Sequence, residues 1–182
     1  MVDEDDRQVT AWALAAGRGD PVALAAFVRA TQPQTWRFLR HLLASAETDD
    51  LVQETYLRAI RGLPRFAGRS TARTWLFGIA RRVAADHLRS TARRPTTVAL
   101  DAWDPPAAAR FENTVVLDAL LRQLPAERRE AFVATQILGL SYAEAAQVCD
   151  CPVGTIRSRV ARAREGLMAA LEERSGATVR AG

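Results

Sequence analysis

Apolar residues recur at steps of three and four along most of the chain, while period-two runs and β-branched clusters are almost absent. A strand needs alternation to bury one face, so this pattern leaves helices as the building element. The predicted fold class is all-α. The periodicity lapses once, from Arg93 to about Arg110, a stretch that contains Pro95, Pro105 and Pro106 and turns acidic. Such a segment reads as a flexible linker. It divides the chain into an N-terminal helical bundle over 8–92 and a C-terminal domain over 111–175, with 93–110 between them. A length of 182 residues suits two small domains of this kind.

The periodic segments predict helices at about Val9–Ala16, Val22–Thr31, Gln34–Leu43, Asp49–Leu63 and Thr71–Ala92 in the first half. In the second half they predict Phe111–Gln123, Pro125–Leu138, Ser141–Val148 and Val153–Glu172. No eighteen-residue apolar run occurs, and Asp3 to Asp6 are acidic where a secretory signal would be basic and then apolar. A soluble, cytoplasmic protein with no membrane insertion is expected. The cysteines are Cys149 and Cys151, one residue apart, too few for a disulfide framework or a zinc site. With two histidines, no nucleophile constellation and no phosphate loop, the chain predicts neither an enzyme nor a cofactor or metal site.

The positive charge is concentrated. Residues 57–96 hold ten arginines against a single acid, Asp86, whereas residues 1–56 hold five arginines against nine acids. A solvated helix face usually intersperses acids, so an unbroken basic block points to a polyanion, and nucleic acid is the expected partner.

The segment from Gly139 to Arg164 has the layout of a helix-turn-helix. Gly139 can end one helix, and Ser141 with Glu144 forms a capping box that starts the next. Cys149 to Pro152 is the turn. In the following helix Ile156, Val160, Ala163 and Leu167 share an inward face, while Gly154, Arg157, Ser158, Ala161 and Arg162 share the opposite one. A recognition helix needs this division, because arginine can reach guanine bidentately and small residues permit close approach to the groove.

The basic block is of another type. A glycine-bearing loop, Arg65-Phe66-Ala67-Gly68-Arg69-Ser70, runs into a helix that begins Thr71-Ala72-Arg73-Thr74-Trp75. Aromatics among arginines suit unpaired nucleic acid, whose bases stack on π faces while phosphates meet guanidinium groups. Leu76, Ile79, Ala80, Val83 and His87 form the packed face, Arg73, Thr74, Arg81 and Arg82 point elsewhere, and Trp75 borders the two as either packing or strand contact. A third surface lies on the helix from Asp49. Leu51, Val52, Thr55, Tyr56 and Ala59 point inward, leaving Leu57 bracketed outside by Asp50, Gln53 and Glu54. A solvent-facing leucine among acids suits helix docking, although single exposed leucines are common.

Taken in this order, the three segments resemble the extracytoplasmic-function group of bacterial sigma factors, the minimal two-domain type of the sigma-70 family, over about residues 8–175. The run Asp49-Asp50-Leu-Val-Gln53-Glu54-Thr-Tyr-Leu57-Arg58 looks like the segment that docks on the polymerase clamp. Phe66 through Arg81, followed by Asp86-His87-Leu88-Arg89, looks like the promoter-melting and minus-ten segment. Leu124-Pro125 onward, with Cys151-Pro-Val-Gly-Thr-Ile-Arg-Ser-Arg, is similar to the minus-thirty-five domain.

The resemblance implies a factor that directs RNA polymerase to promoters and stabilises their opening. It assigns Asp49, Asp50, Gln53, Glu54, Leu57 and Arg58 to the polymerase core, through its beta and beta-prime subunits. Arg65, Phe66, Arg69, Ser70, Thr71, Arg73, Thr74, Trp75, Arg81 and Arg82 fall to minus-ten DNA, and Ser141, Thr155, Arg157, Ser158, Ala161 and Arg162 to minus-thirty-five DNA. An anti-sigma protein is a further partner it implies. A linker of about 18–20 residues reaches at most roughly 65 Å, and elements about 17 base pairs apart lie roughly 58 Å apart along the duplex. The competing reading is a dimeric helix-turn-helix regulator that binds duplex DNA unaided.

Overall fold

The computed structural model describes the backbone of residues 2–43, 47–93 and 111–180 and the side chains of 4–43, 47–92 and 116–172. Among the described residues the elements are helical, with no strand. The N-terminal domain holds α1 (Val2–Gly17), α2 (Pro21–Leu43), α3 (Thr48–Gly62) and α4 (Ala72–Arg93). The C-terminal domain holds α5 (Phe111–Gln123), α6 (Ala126–Phe132), α7 (Tyr142–Cys149) and α8 (Val153–Arg180). The linker expected over 93–110 lies, beyond Arg93, outside the described residues.

Local chemistry sets the helix starts. The Asp20 carboxylate accepts from the backbone N–H of Val22 (2.9 Å) and Ala23 (3.0 Å), and Pro21 takes the first helical position, where its missing N–H costs nothing. Thr71 starts α4 by accepting from the Thr74 N–H at 3.2 Å. The Ala72 N–H is satisfied from α1, by the Thr10 hydroxyl at 3.0 Å, which fixes α4 against α1.

Beyond the longer ends of α1 and α8, two helices depart from expectation. The sequence predicts separate helices on either side of Pro33, but α2 runs through it. An interior proline costs about 3 kcal/mol. Against that stands one continuous buried face, Phe27, Thr31, Thr35, Phe38, Leu39 and Leu42, which breaking the helix would expose. The Thr31 hydroxyl lies 2.8 Å from the Phe27 carbonyl and 2.7 Å from the Tyr56 hydroxyl, tying α2 to α3. The second departure is α6, expected to reach Leu138. It ends at Phe132 and widens into a π turn, Val133–Ile137, in which the Leu138 N–H reaches the Val133 carbonyl at 3.0 Å. Gly139, at φ +72°, then reverses the chain, a conformation that costs a glycine little.

The largest difference concerns the two domains together. The sequence predicts two bodies joined by a tether, and the structure packs them on one another, with α4 against α7 and α2 against α5. Their apolar residues form one cluster, Phe38 and Phe77 on the first side and Leu121, Val133 and Ile156 on the second. A buried polar clasp accompanies it. His41 Nδ1 lies 2.7 Å from one Asp118 oxygen, and Arg40 donates from Nε (3.2 Å) and approaches from Nη2 (3.1 Å) at the other. Burial alone would raise the Asp118 carboxyl, but the hydrogen bonds and charges of His41 and Arg40 outweigh it and hold the group below its ordinary value.

Candidate nucleic-acid interfaces

The helix-turn-helix forms as its sequence spells it. Ser141 caps α7 by accepting from the Glu144 N–H (3.2 Å), and Glu144 accepts in return from the Ser141 N–H (2.9 Å). Asp150, at φ +52°, closes the helix in the left-handed region, and the turn delivers the chain into α8. Ile156, Val160, Ala163 and Leu167 are buried beneath α8, and Arg157, Ser158, Ala161 and Arg162 are exposed on its outer face, with Thr155 half-buried at the edge. The arginines of this helix divide by role. Arg159 donates to Glu127 (2.7 Å) and Arg164 to Gln136 (2.7 Å), so these two brace the helix. Burial pushes the Cys149 thiol up to about 12, which makes it a packing residue and not a thiolate.

The basic loop and α4 form a surface of which only part is open. Arg65, Arg69 and Arg82 are exposed, and Gly68 takes φ +66° in the loop between them. Phe66 packs on Trp75 with ring centroids 4.9 Å apart, and Trp75 is half-buried against the loop. Ser70 and Thr71 are half-buried. Arg73 and Thr74, expected on the outward side of α4, are instead buried, because the C-terminal domain covers them. The Arg73 guanidinium donates to Asp6 (2.9 Å) and to the Leu138 carbonyl (3.1 Å), the group that the π turn and Gly139 bring round. The Thr71 and Thr74 hydroxyls lie 2.8 Å apart and 3.4 and 3.3 Å from one Glu144 oxygen, and Arg81 donates to Glu130 at 2.9 Å. Burial raises the Glu144 carboxyl, yet the bonds from Ser141 and Thr74 and the charge of Arg73 hold it below its ordinary value.

The acidic face of α3 also takes its expected form. Leu51, Val52, Thr55, Tyr56 and Ala59 are buried, Asp50 and Gln53 are exposed, and Leu57 is 51% exposed. Asp49 accepts from the Trp36 indole N–H at 2.9 Å. Arg58 is less free than its place in the run suggests. It donates to Glu54 and to Asp86, both at 2.7 Å, and Asp86 also pairs with Arg89, so Arg58 straps α3 to α4. The hydrogen bonds it donates to Asp86 and then to Glu54 raise the Arg58 guanidinium above its ordinary value.

Sequence reasoning missed Asp6, Asp118, Glu130 and the second role of Glu144. The first three meet partners 67, 77 and 49 residues away, and no spacing rule reaches so far. The one available signal was the absence of acids in 57–96 beyond Asp86, which obliges that block to find its counter-charges elsewhere in the chain.

Comparisons with known proteins agree with this geometry. The chain matches the family models "Sigma-70 region 2" over residues 27–94 and "Sigma-70, region 4" over 114–167. It is 52% identical over 173 residues to the probable RNA polymerase sigma-C factor of Mycobacterium bovis, an alignment that covers 92% of this chain and 94% of that protein. It is 34% identical over 169 residues to the ECF RNA polymerase sigma-E factor of Salmonella typhimurium, covering 82% and 87%. Among solved structures, CnrH in complex with the cytosolic domain of CnrY matches at a TM-score of 0.75 and 26% identity over 91% of this chain and 98% of that one. RpoE of Bartonella quintana, in complex with the anti-sigma factor NepR, matches at 0.65 and 28% over 80% and 94%.

The all-helical pair of domains, one ending in a helix-turn-helix, belongs to the class of transcription initiation factors. The chain is a member of the sigma-70 family, in its two-domain extracytoplasmic-function group, and directs RNA polymerase to promoters. A dimeric regulator acting alone is not favoured by these relatives. Among the described residues no helix is long and apolar enough to cross a membrane.

Proposed function

We propose a division of labour between domains over 8–92 and 111–175, joined by 93–110. The outer face of α3, with Asp49, Asp50, Gln53, Glu54 and Leu57, docks on core polymerase through its beta and beta-prime subunits. Arg58 serves that face by holding α3 on α4. The outer face of α8, Arg157, Ser158, Ala161 and Arg162, flanked by Ser141 and Thr155, reads minus-thirty-five DNA by direct contact with base edges. Arg65, Phe66, Arg69, Ser70 and Thr71, with Arg73, Thr74, Trp75, Arg81 and Arg82, receive the melted minus-ten strand, offsetting an unpairing cost of a few kcal/mol per base.

The observation that carries this reading is the split of the arginines over 157–164, Arg159 and Arg164 bonded to Glu127 and Gln136, and Arg157 and Arg162 exposed on a face of small residues. No covalent step falls to this chain. It acts in the cytoplasm as a non-enzymatic subunit, and an anti-sigma protein is a fitting regulator, since CnrH and RpoE are each seen in complex with a protein of another kind, CnrY and the anti-sigma factor NepR. Run-off transcription with core polymerase and a promoter library tests the reading. Selective initiation from a two-element promoter supports it, and polymerase-independent capture of one palindromic duplex overturns it.

A further inference from the structure

The loop that joins α3 to α4, residues 63–71, meets α1 in reverse order along its length. Where the loop begins, Gly17 comes so close that a Cβ there would meet the Leu63 carbonyl oxygen at 2.5 Å. Near its middle Gly68, at φ +66°, lies against Leu14, whose Cδ1 would be 3.5 Å from an added Cβ. Where it ends, the Thr10 hydroxyl accepts from the Ala72 N–H at 3.0 Å, and Asp6 accepts from Arg73 at 2.9 Å. Positions 6, 10, 14 and 17 fall within about 80° of one another on a helical wheel. One stripe of α1 therefore touches the loop at both ends and in the middle.

We infer that α1 is a splint for the minus-ten loop, and that Thr10, Leu14 and Gly17 are positioning residues for strand reading, although none of them belongs to the strand surface. The inference rests on the strand-binding role proposed for the loop and the start of α4. A second support comes from the other side, where Phe66 packs on Trp75 and a Cβ at Gly62 would stand 3.0 Å from the Trp75 ring. Held on two sides, the loop presents Arg65 and Arg69 to solvent at a fixed spacing. A loop shaped before the strand arrives loses little conformational freedom on binding, and its donors stand where the strand needs them.

Thr10 is the contact that can be removed with least disturbance. Its hydroxyl donates to the Asp6 carbonyl at 2.7 Å, which leaves a lone pair for the Ala72 N–H. That N–H opens α4 and has no carbonyl of its own helix to reach. Val9 and Ala13, both buried in the core cluster, keep α1 seated when the hydroxyl is lost. All four contacts lie within the N-terminal domain, so they do not depend on how the C-terminal domain packs.

The test uses holoenzyme assembled from core polymerase and the full chain, on a promoter recovered from the library and on versions with one base substituted in either element. Thr10→Val keeps the shape and removes the acceptor, Thr10→Ser keeps the hydroxyl, and Gly17→Ala drives a methyl against the Leu63 carbonyl. Thr10→Val and Gly17→Ala are expected to lose fivefold or more of the run-off preference for the intact minus-ten element. Preference at the minus-thirty-five element and retention on immobilised core are expected to change less than twofold, and Thr10→Ser to stay within twofold of the wild type throughout. Thr10→Val decides the matter if Gly17→Ala does not fold. An unchanged minus-ten preference in Thr10→Val, an equal loss at both elements, or an equal loss in Thr10→Ser would overturn the splint. Arg69→Ala separates the two readings. If it lowers the minus-ten preference and Thr10→Val does not, the splint alone fails; if neither lowers it, the strand-binding role fails and the splint falls with it.

Discussion

The outer face of α8 and the basic surface of α4 are both rich in arginine, and the structure spends them in opposite ways. On α8 Arg157 and Arg162 lie exposed on a face backed by buried apolar residues, with no hydrogen-bond or ion-pair partner among the described residues. On α4, Arg73 is only 8% exposed and serves as a structural strut between Asp6 and the Leu138 carbonyl. Net positive charge therefore does not measure availability. The neighbours that already hold a guanidinium decide whether DNA can have it.

The strongest way to break this contrast is to truncate both kinds of arginine. Arg73→Ala leaves Asp6 buried without its partner and is expected to cost about 3–5 kcal/mol of stability. Arg157→Ala is expected to stay within about 0.5 kcal/mol of the wild type. Urea unfolding of the two variants side by side checks the difference, and equal losses would erase it.

A smaller effect separates the open face by function. Arg162→Ala is expected to lose about 1–3 kcal/mol of promoter discrimination in run-off transcription while unfolding as the wild type does. Leu57→Glu sharpens the comparison at the third surface. The residue already faces solvent, so stability is expected to hold within about 0.5 kcal/mol. Retention on immobilised core polymerase is expected to fall, and full retention would remove Leu57 from the docking face.

The gentlest perturbation is acid. Glu144 and Asp118, two of the carboxylates at the seam, are both held below their ordinary values. Groups depressed in the folded chain contribute stability above their unfolded pKa of about 4, and that contribution fades as pH falls through the folded value. The closed packing is thus expected to be unchanged from pH 7 to 5 and to loosen below about pH 4. Scattering across that range reads it, and loosening already between pH 7 and 5 would contradict it.

Much of this was legible in the residues. The inward stripes of α3 and α8, the Ser141–Glu144 box and the reversal at Gly139 follow from local spacing, because each is decided within one or two helical turns. Continuity through Pro33 was not legible, since propensity argues for a break and only the buried face across it argues for a helix. Nor was the seam. His41 and Asp118, or Arg81 and Glu130, have no pattern linking them in sequence, and either acid reads locally as a solvated residue on its own helix. The arrangement of side chains was legible where the surface is local and open, and hidden where a second domain completes it.

The most direct test of the account is the distance between the domains before and after polymerase binds. Spin labels at Gln8 and Gln147, both exposed on α1 and α7, report it in the full chain with Cys151→Ser. The account predicts one short distance in the free chain and a jump toward the roughly 58 Å of promoter spacing once core polymerase is added. A broad, long distribution in the free chain, or no change on binding polymerase, would contradict it.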